Sequence, residues 1–168
     1  YTADITRTFP VGKSFTSAQE KIYDLVLSSQ KEGITLAKPG TRYSDIHKRV
    51  CEVLTDGLLS LGLLQGDRVE ILKDLKFKRF YPHGTGHFLG MDVHDVGYYQ
   101  VQGESRRLAP GMVFTVEPGL YFQPHDKDVP VPYRNFGIRI EDDILITQNG
   151  NEVLTSSAPK EKSEILKL

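Results

Sequence analysis

The chain has one cysteine, Cys51, among its 168 residues, which excludes an internal disulfide and a cysteine-ligated zinc site. No stretch approaches the roughly 18 apolar residues of a membrane span, and no segment reads as a signal peptide. A membrane is therefore not expected as a partner, and a cytoplasmic location is. An excess of one charge is missing as well. The 21 basic and 22 acidic residues leave a net charge of −1, which gives no reason to expect nucleic acid or an acidic lipid surface. The one basic cluster, Lys73, Lys76, Lys78 and Arg79, has the spacing of the solvated side of a short helix. Internal repeats and low-complexity segments are absent too. By length the chain is one domain, residues 1–168, large enough for a core of its own.

The order of elements follows from periodicity and punctuation. Ile5 to Val11 is β-prone and ends at Pro10 and Gly12, with Asp4, Thr6 and Thr8 on one face and Ile5, Arg7 and Phe9 on the other. Ser17-Ala18-Gln19-Glu20 fits a capping box before a helix that Pro39-Gly40 stops. A second helix is expected from about Ser44 to Leu61, and a short third from Asp67 to Leu75. Cys51 lies in the second, where Ile46, Val50, Val53, Leu54, Leu58 and Leu61 recur at helical spacing, so it reads as a packed thiol rather than a nucleophile. From Phe80 onward strands and loops dominate. Met112 to Val116 follows a Pro110-Gly111 turn, Gln123 to Asn135 is a surface loop, and Gly137 to Thr147 is one long strand. Arg139, Glu141, Asp143 and Leu145 share a face of that strand. Helices first and strands second suggest α+β, with the sheet curved around a site.

What is abundant is histidine in one place. Three of the chain's five histidines, His83, His87 and His94, fall within twelve residues of His83-Gly-Thr-Gly-His87-Phe-Leu-Gly-Met-Asp-Val-His94-Asp95. Neutral imidazole is both a metal ligand and a proton carrier. Isolated acids stand in apolar surroundings elsewhere: Asp4, Glu117 and Glu141. Burying such acids is costly without a partner, and a divalent metal is the strongest one available. One histidine with three carboxylates is an oxygen-dominated set that favours Mn(II) or Mg(II) and tolerates Co(II) or Zn(II). Carboxylates also bridge ions, so a dinuclear site is open. From the residues alone the reading is a metal-binding protein or a hydrolase.

Four segments together carry a resemblance: Asp4-Ile-Thr-Arg-Thr-Phe9, His83 to Asp95, Val116-Glu-Pro-Gly-Leu-Tyr121, and Gly137-Ile-Arg-Ile-Glu-Asp-Asp143. In order and spacing they resemble the aminopeptidase P group of the pita-bread metallopeptidases, peptidase family M24. Prolidase is the nearest competitor. Methionine aminopeptidases share the fold but lack the Leu-Gly-x-Asp-Val-His-Asp continuation. The resemblance implies the C-terminal half of a pita-bread fold, a curved, antiparallel-rich sheet backed by helices. It implies two divalent ions, most often Mn(II), with Asp4, His87, Glu117 and Glu141 as ligands. It assigns His94 to the substrate carbonyl, Glu117 to the nucleophile's proton, and His83, Arg139 and Tyr121 to the wall that accepts proline. The reaction implied is release of the N-terminal residue from peptides with proline in second position, by a protein expected to be homo-oligomeric at full length. A prolidase-like dipeptidase and a noncatalytic binding module on the same fold are the alternatives. The family's first aspartate stands about ten residues before the second, outside this chain. A C-terminal fragment, inactive alone and lacking the upstream half of the catalytic domain and the N-terminal domain, is therefore expected.

Overall fold

The computed structural model describes residues 2–167. Two long helices, α1 (Ser17–Leu36) and α2 (Tyr43–Ser60), pack against each other and against the sheet. Helix α1 starts at a capping box, but Thr16 is the N-cap and Gln19 the reciprocating side chain, one residue before the expected frame. Both frames contain a hydroxyl followed three residues later by Glu or Gln, and only backbone geometry separates them. The helix ends at Leu36, before Pro39-Gly40. Helix α2 keeps the expected limits within a residue or so. The third helix is shorter than expected: α3 is Arg68–Lys73, capped by Asp67, and a 3-10 turn follows at Lys76–Arg79. The basic cluster is spread over those two pieces, and Arg79 pairs with Asp126 and Asp128.

The strands are β1 (Gln100–Val101), β2 (Glu104–Ser105), β3 (Val113–Val116), β4 (Gly119–Phe122), β5 (Phe136–Arg139), β6 (Asp142–Ile146) and β7 (Asn151–Val153), and α4 (Lys162–Ile165) follows. A 3-10 turn at Val131–Tyr133 interrupts the expected loop between β4 and β5. All strand pairs are antiparallel. Two sequence expectations need correction. The long strand at 137–147 is two strands, β5 and β6, paired with β4 and β3 respectively. Register continues across the gap, since Val116 faces Asp142 and Gly119 faces Arg139. The ladder breaks because Pro118 has no N–H to donate, although its carbonyl still accepts from Ile140 at 3.3 Å. The segment at 5–11 is not a strand either. It makes one antiparallel bridge, Thr6 to Glu141, and Thr8 reaches Arg139 through its hydroxyl instead of a backbone ladder.

Alternation along these strands divides core from site. Leu120, Ile138 and Ile140 are buried with Ile22, Val26, Val50 and Leu54 of the helices in one apolar cluster. A second cluster joins Phe114, Val116, Ile144 and Ile146 to Ala37, Ile46, Phe88 and Leu108. With the helices taking that face, the intervening residues Arg139, Glu141 and Asp143 turn to the other. The architecture is α+β, as expected. Cys51 is buried on α2, and burial pushes its thiol pKa up to about 12, which leaves it protonated and supports the packed-thiol reading. Among the described residues, no helix is long and apolar enough to cross a membrane.

Candidate metal centre

Four chain segments lie side by side and bring the candidate residues together. The histidine segment runs antiparallel along β3: Phe88 bridges Phe114, the Thr115 N–H donates to the His87 carbonyl at 2.9 Å, and the Glu117 N–H donates to the Thr85 carbonyl at 2.7 Å. The close approach requires Gly86, where a Cβ would stand 1.8 Å from the Thr115 carbonyl oxygen. On the far side of β3, Glu117 stands opposite Glu141 in the continuous register. Beyond Glu141 runs the Asp4–Thr8 segment, whose Thr6 carbonyl accepts the Glu141 N–H at 3.1 Å. Outer segments three spacings apart still meet: His87 Nε2 lies 3.3 Å from Asp4 Oδ2. Neighbouring strands are spaced about 4.8 Å apart, so such contact requires the concave face that the sequence suggested.

His87 is held in one orientation. Its Nδ1–H donates to the Phe88 carbonyl at 3.1 Å, which orients the ring and turns Nε2 toward the carboxylates. That Nε2 is buried without a hydrogen-bond partner, 3.3 Å from Asp4 and 3.6 Å from Glu117 Oε1. An imidazole nitrogen facing two carboxylates needs a positive charge between them, which a bound metal ion or a proton supplies. Glu117 and Glu141 pose the same problem, since like charges directly across a ladder repel. Burial pushes the Glu141 carboxyl up to about 7, with the charges of Glu117 and Asp4 adding to it and the Thr6 hydroxyl and Arg139 opposing it. The donor set suits a divalent ion, which neutralises carboxylates and accepts an imidazole lone pair at once. Two overlapping triads have ligand atoms within 4.8 Å of one another: Asp4, His87 and His94, and His87, Glu117 and Glu141. His87 is common to both, so the four expected ligands form two adjoining groups rather than one cage.

The other candidates surround this cluster. His94 is exposed, with its ring 4.2 Å from that of His87 and nearly perpendicular to it. His83 belongs to neither triad. Its Nδ1–H donates to the Gly84 carbonyl at 2.8 Å, and its Nε2 accepts from the Tyr121 hydroxyl at 2.7 Å. Tyr121 lies across Gly119, where a Cβ would stand 2.5 Å from the phenol oxygen. Arg139 donates to Thr6 Oγ1 at 2.9 and 3.1 Å and stands 3.6 Å from Glu141 and 3.8 Å from Glu117. Arg7 faces away, as its alternation with Asp4 implies. It pairs with Asp142 at 2.6 Å and donates to the carbonyls of Glu141, Ala158 and Pro159.

Sequence reasoning missed several supporting residues. Thr6 accepts from Arg139 and donates to Glu141 Oε2, and Thr115 accepts the His87 N–H at 3.1 Å. Asp142 is fully buried behind Glu141 and accepts from Arg7, Gln30, Thr155 and Lys160. Asp143 accepts the Asp4 N–H at 3.2 Å, which fixes the backbone of that segment. Period-two spacing from Asp4 to Thr6 and from Glu117 back to Thr115 was the available signal for two of them.

The sequence model of metallopeptidase family M24 matches residues 1–148. The chain belongs to metallopeptidase family M24. The Xaa-Pro aminopeptidase of Escherichia coli K12 is 52% identical over 165 residues, which is 98% of this chain and 37% of that enzyme. The Haemophilus influenzae Xaa-Pro aminopeptidase is 47% identical over the same share of this chain and 38% of its own length. Among solved structures, Pseudomonas aeruginosa aminopeptidase PepP superposes with a TM-score of 0.98 at 47% identity, over 99% of this chain and 38% of that one. The chain thus spans under two-fifths of the length of these three relatives. Its α+β fold is that of a pita-bread half within this M24 architecture.

Proposed function

We propose that the protein bearing this chain is a metal-dependent aminopeptidase that releases the N-terminal residue from peptides with proline in second position. The observation that carries the reading is the buried, unpartnered Nε2 of His87 aimed between Asp4 and Glu117, with Glu141 directly across the ladder. Similarity to Xaa-Pro aminopeptidases over nearly the whole chain supports the substrate class. Asp4, His87, Glu117 and Glu141 would hold two divalent ions. Carboxylate-rich donors favour Mn(II), while Co(II) or Zn(II) also suit the set. When bound, such ions make water a nucleophile at neutral pH and stabilise charge developing on a carbonyl oxygen.

The chain's own residues supply the rest. Glu117 manages the nucleophile's proton, lying at the centre of the cluster beside Glu141. His94, exposed next to His87, is free to donate to the substrate carbonyl. A proline amide has no N–H to recognise, so selection must come from contacts with the ring. The His83–Tyr121 pair offers such a wall, and Arg139 borders it beside the glutamates. A cytoplasmic location and a homo-oligomeric state belong to the same proposal. The test uses the protein at its natural length, loaded with Mn(II). Cleavage of the first bond in Xaa-Pro-Xaa peptides, with Xaa-Ala-Xaa peptides cut poorly, is expected. Activity confined to Xaa-Pro dipeptides would replace the proposal with a prolidase-like one. Metal binding without hydrolysis would leave a noncatalytic module.

A further inference from the structure

A buried polar chain joins helix α2 to the centre from behind. His47 Nδ1 lies 2.8 Å from Thr85 Oγ1, and the Tyr81 hydroxyl lies 2.8 Å from the same oxygen. On its other side, His47 Nε2 is 3.5 Å from Cys51 Sγ, one helical turn along α2. Tyr81 donating to Thr85 and Thr85 donating to His47 uses each hydroxyl proton once and leaves Nε2–H facing sulfur. In the reverse direction Thr85 would donate to Tyr81, and the proton of the buried Tyr81 hydroxyl, whose one partner among the described residues is Thr85, would lack an acceptor. Burial lowers the pKa of His47, with Lys78 and His83 acting the same way, which favours the neutral imidazole.

Thr85 stands between His83 and His87, and its carbonyl holds the Glu117 N–H. The segment is therefore fixed from two sides. Gly86 presses it onto the Thr115 carbonyl in front, and the Thr85 hydroxyl ties it to α2 behind.

We propose that His47 and Thr85 are positioning residues that set how deeply the His83–His87 segment and Glu117 sit in the metal centre, an inference that rests on the metallopeptidase reading above. Neither residue touches substrate or metal. Their hydroxyl–imidazole bond acts through the Thr85 backbone on His87 Nε2 and the Glu117 carboxylate. Groups hydrogen-bonded directly to metal ligands commonly change affinity or activity by about 10–100-fold, and this bond, one step further out, belongs at the lower end of that range.

The test compares Thr85→Val with Thr85→Ser, and His47→Leu with His47→Asn, in the protein at its natural length. Three readouts are taken: kcat and KM on an Xaa-Pro-Xaa peptide at saturating Mn(II), Mn(II) affinity by calorimetry, and amide exchange at Glu117 in metal-free protein. Val and Leu should each lower kcat and Mn(II) affinity by about tenfold. KM should stay within about twofold, because no substrate contact is removed. Exchange at Glu117 should quicken, and Ser and Asn should restore most of each loss. Wild-type behaviour of both Val and Leu variants would overturn the inference, as would Ser and Asn variants as impaired as Val and Leu. If Thr85→Val does not fold, the two His47 variants carry the comparison from the helix side. A wild-type protein that binds no Mn(II) and cleaves no Xaa-Pro peptide would instead overturn the metallopeptidase reading. Glu117 exchange unchanged in the variants would then overturn the positioning link separately.

Discussion

Replacing Asp142 by Asn removes one negative charge and leaves two cations facing a neutral amide. The carboxylate is fully buried and accepts from Arg7 Nη2 at 2.6 Å, Lys160 Nζ at 2.6 Å, Thr155 Oγ1 at 2.7 Å and Gln30 Nε2 at 2.8 Å. It thus gathers α1, the Asp4–Thr8 segment, β6 and the chain after β7 at one point. Breaking a buried pair from one side costs about 3–5 kcal/mol. The Arg7 and Lys160 side chains retain 11% and 20% of their exposure, so water softens the loss and the lower end of that range applies. With a urea m-value of about 2 kcal/mol/M, a loss of about 3 kcal/mol moves the midpoint down by about 1.5 M. The control is Asp24→Asn, which breaks only the exposed Lys162 pair and should leave the midpoint nearly unchanged. Acidity gives a second readout. Burial alone would raise the Asp142 pKa, but hydrogen bonds from Lys160, Thr155 and Arg7 outweigh it and hold the pKa below the ordinary carboxylate value. A depressed folded-state pKa contributes stability that is present above the unfolded value of about 3.9 and lost as pH falls through the folded one. The stability gap between wild type and Asp142→Asn should therefore narrow in acid. A midpoint shift no larger than that of Asp24→Asn would refute the claim that Asp142 anchors this side of the centre.

Glu141 leads to the opposite pH dependence. Its raised folded-state pKa, about 7, favours the protonated carboxyl, so its contribution to metal-free stability is full below about pH 4.3 and is lost as pH rises through 7. A metal must displace that proton, so calorimetry at pH 6 in buffers of different ionisation enthalpy should show proton release that disappears in Glu141→Gln. Arg139→Ala should lower turnover of proline peptides more than Arg7→Ala does at equal folded fraction, because only Arg139 borders the glutamates; equal losses would remove the reason for placing it in the site. Gly119→Ala puts a methyl where the Tyr121 hydroxyl lies. The same methyl would stand 3.1 Å from the Ile138 carbonyl oxygen, so some stability should be lost, and displacement of the Tyr121 ring should raise KM for proline peptides at equal folded fraction.

How much was legible depends on the range over which each signal acts. Helices α1 and α2 were readable because their apolar period is local, and Asp4, Glu117 and Glu141 because an acid among apolar residues is conspicuous in its own segment. The break between β5 and β6 was not. Its cause, Pro118, lies on the partner strand, and nothing inside residues 137–147 announces it. The Asp4 segment looked like a strand because its alternation is real: Thr6 and Thr8 do face Arg139 and Glu141, yet only Thr6 enters a bridge. The His47–Thr85 bond spans 38 positions and joins two residues that are unremarkable where they stand. Asp142 was hidden by its neighbours, since in Glu-Asp-Asp only the fold decides which carboxylate faces the site and which is buried against Arg7 and Lys160.

The central claim is that Asp4, His87, Glu117 and Glu141 together hold divalent metal. Titrating Mn(II) into the metal-free protein at its natural length, beside His87→Ala and Glu117→Gln, tests it most directly. The wild type should bind Mn(II) and gain thermal stability on binding. Each substitution should weaken binding by at least about tenfold. Without metal, Glu117→Gln should be no less stable than the wild type, because the cross-strand repulsion with Glu141 is gone. Equal Mn(II) binding by all three proteins would contradict the account.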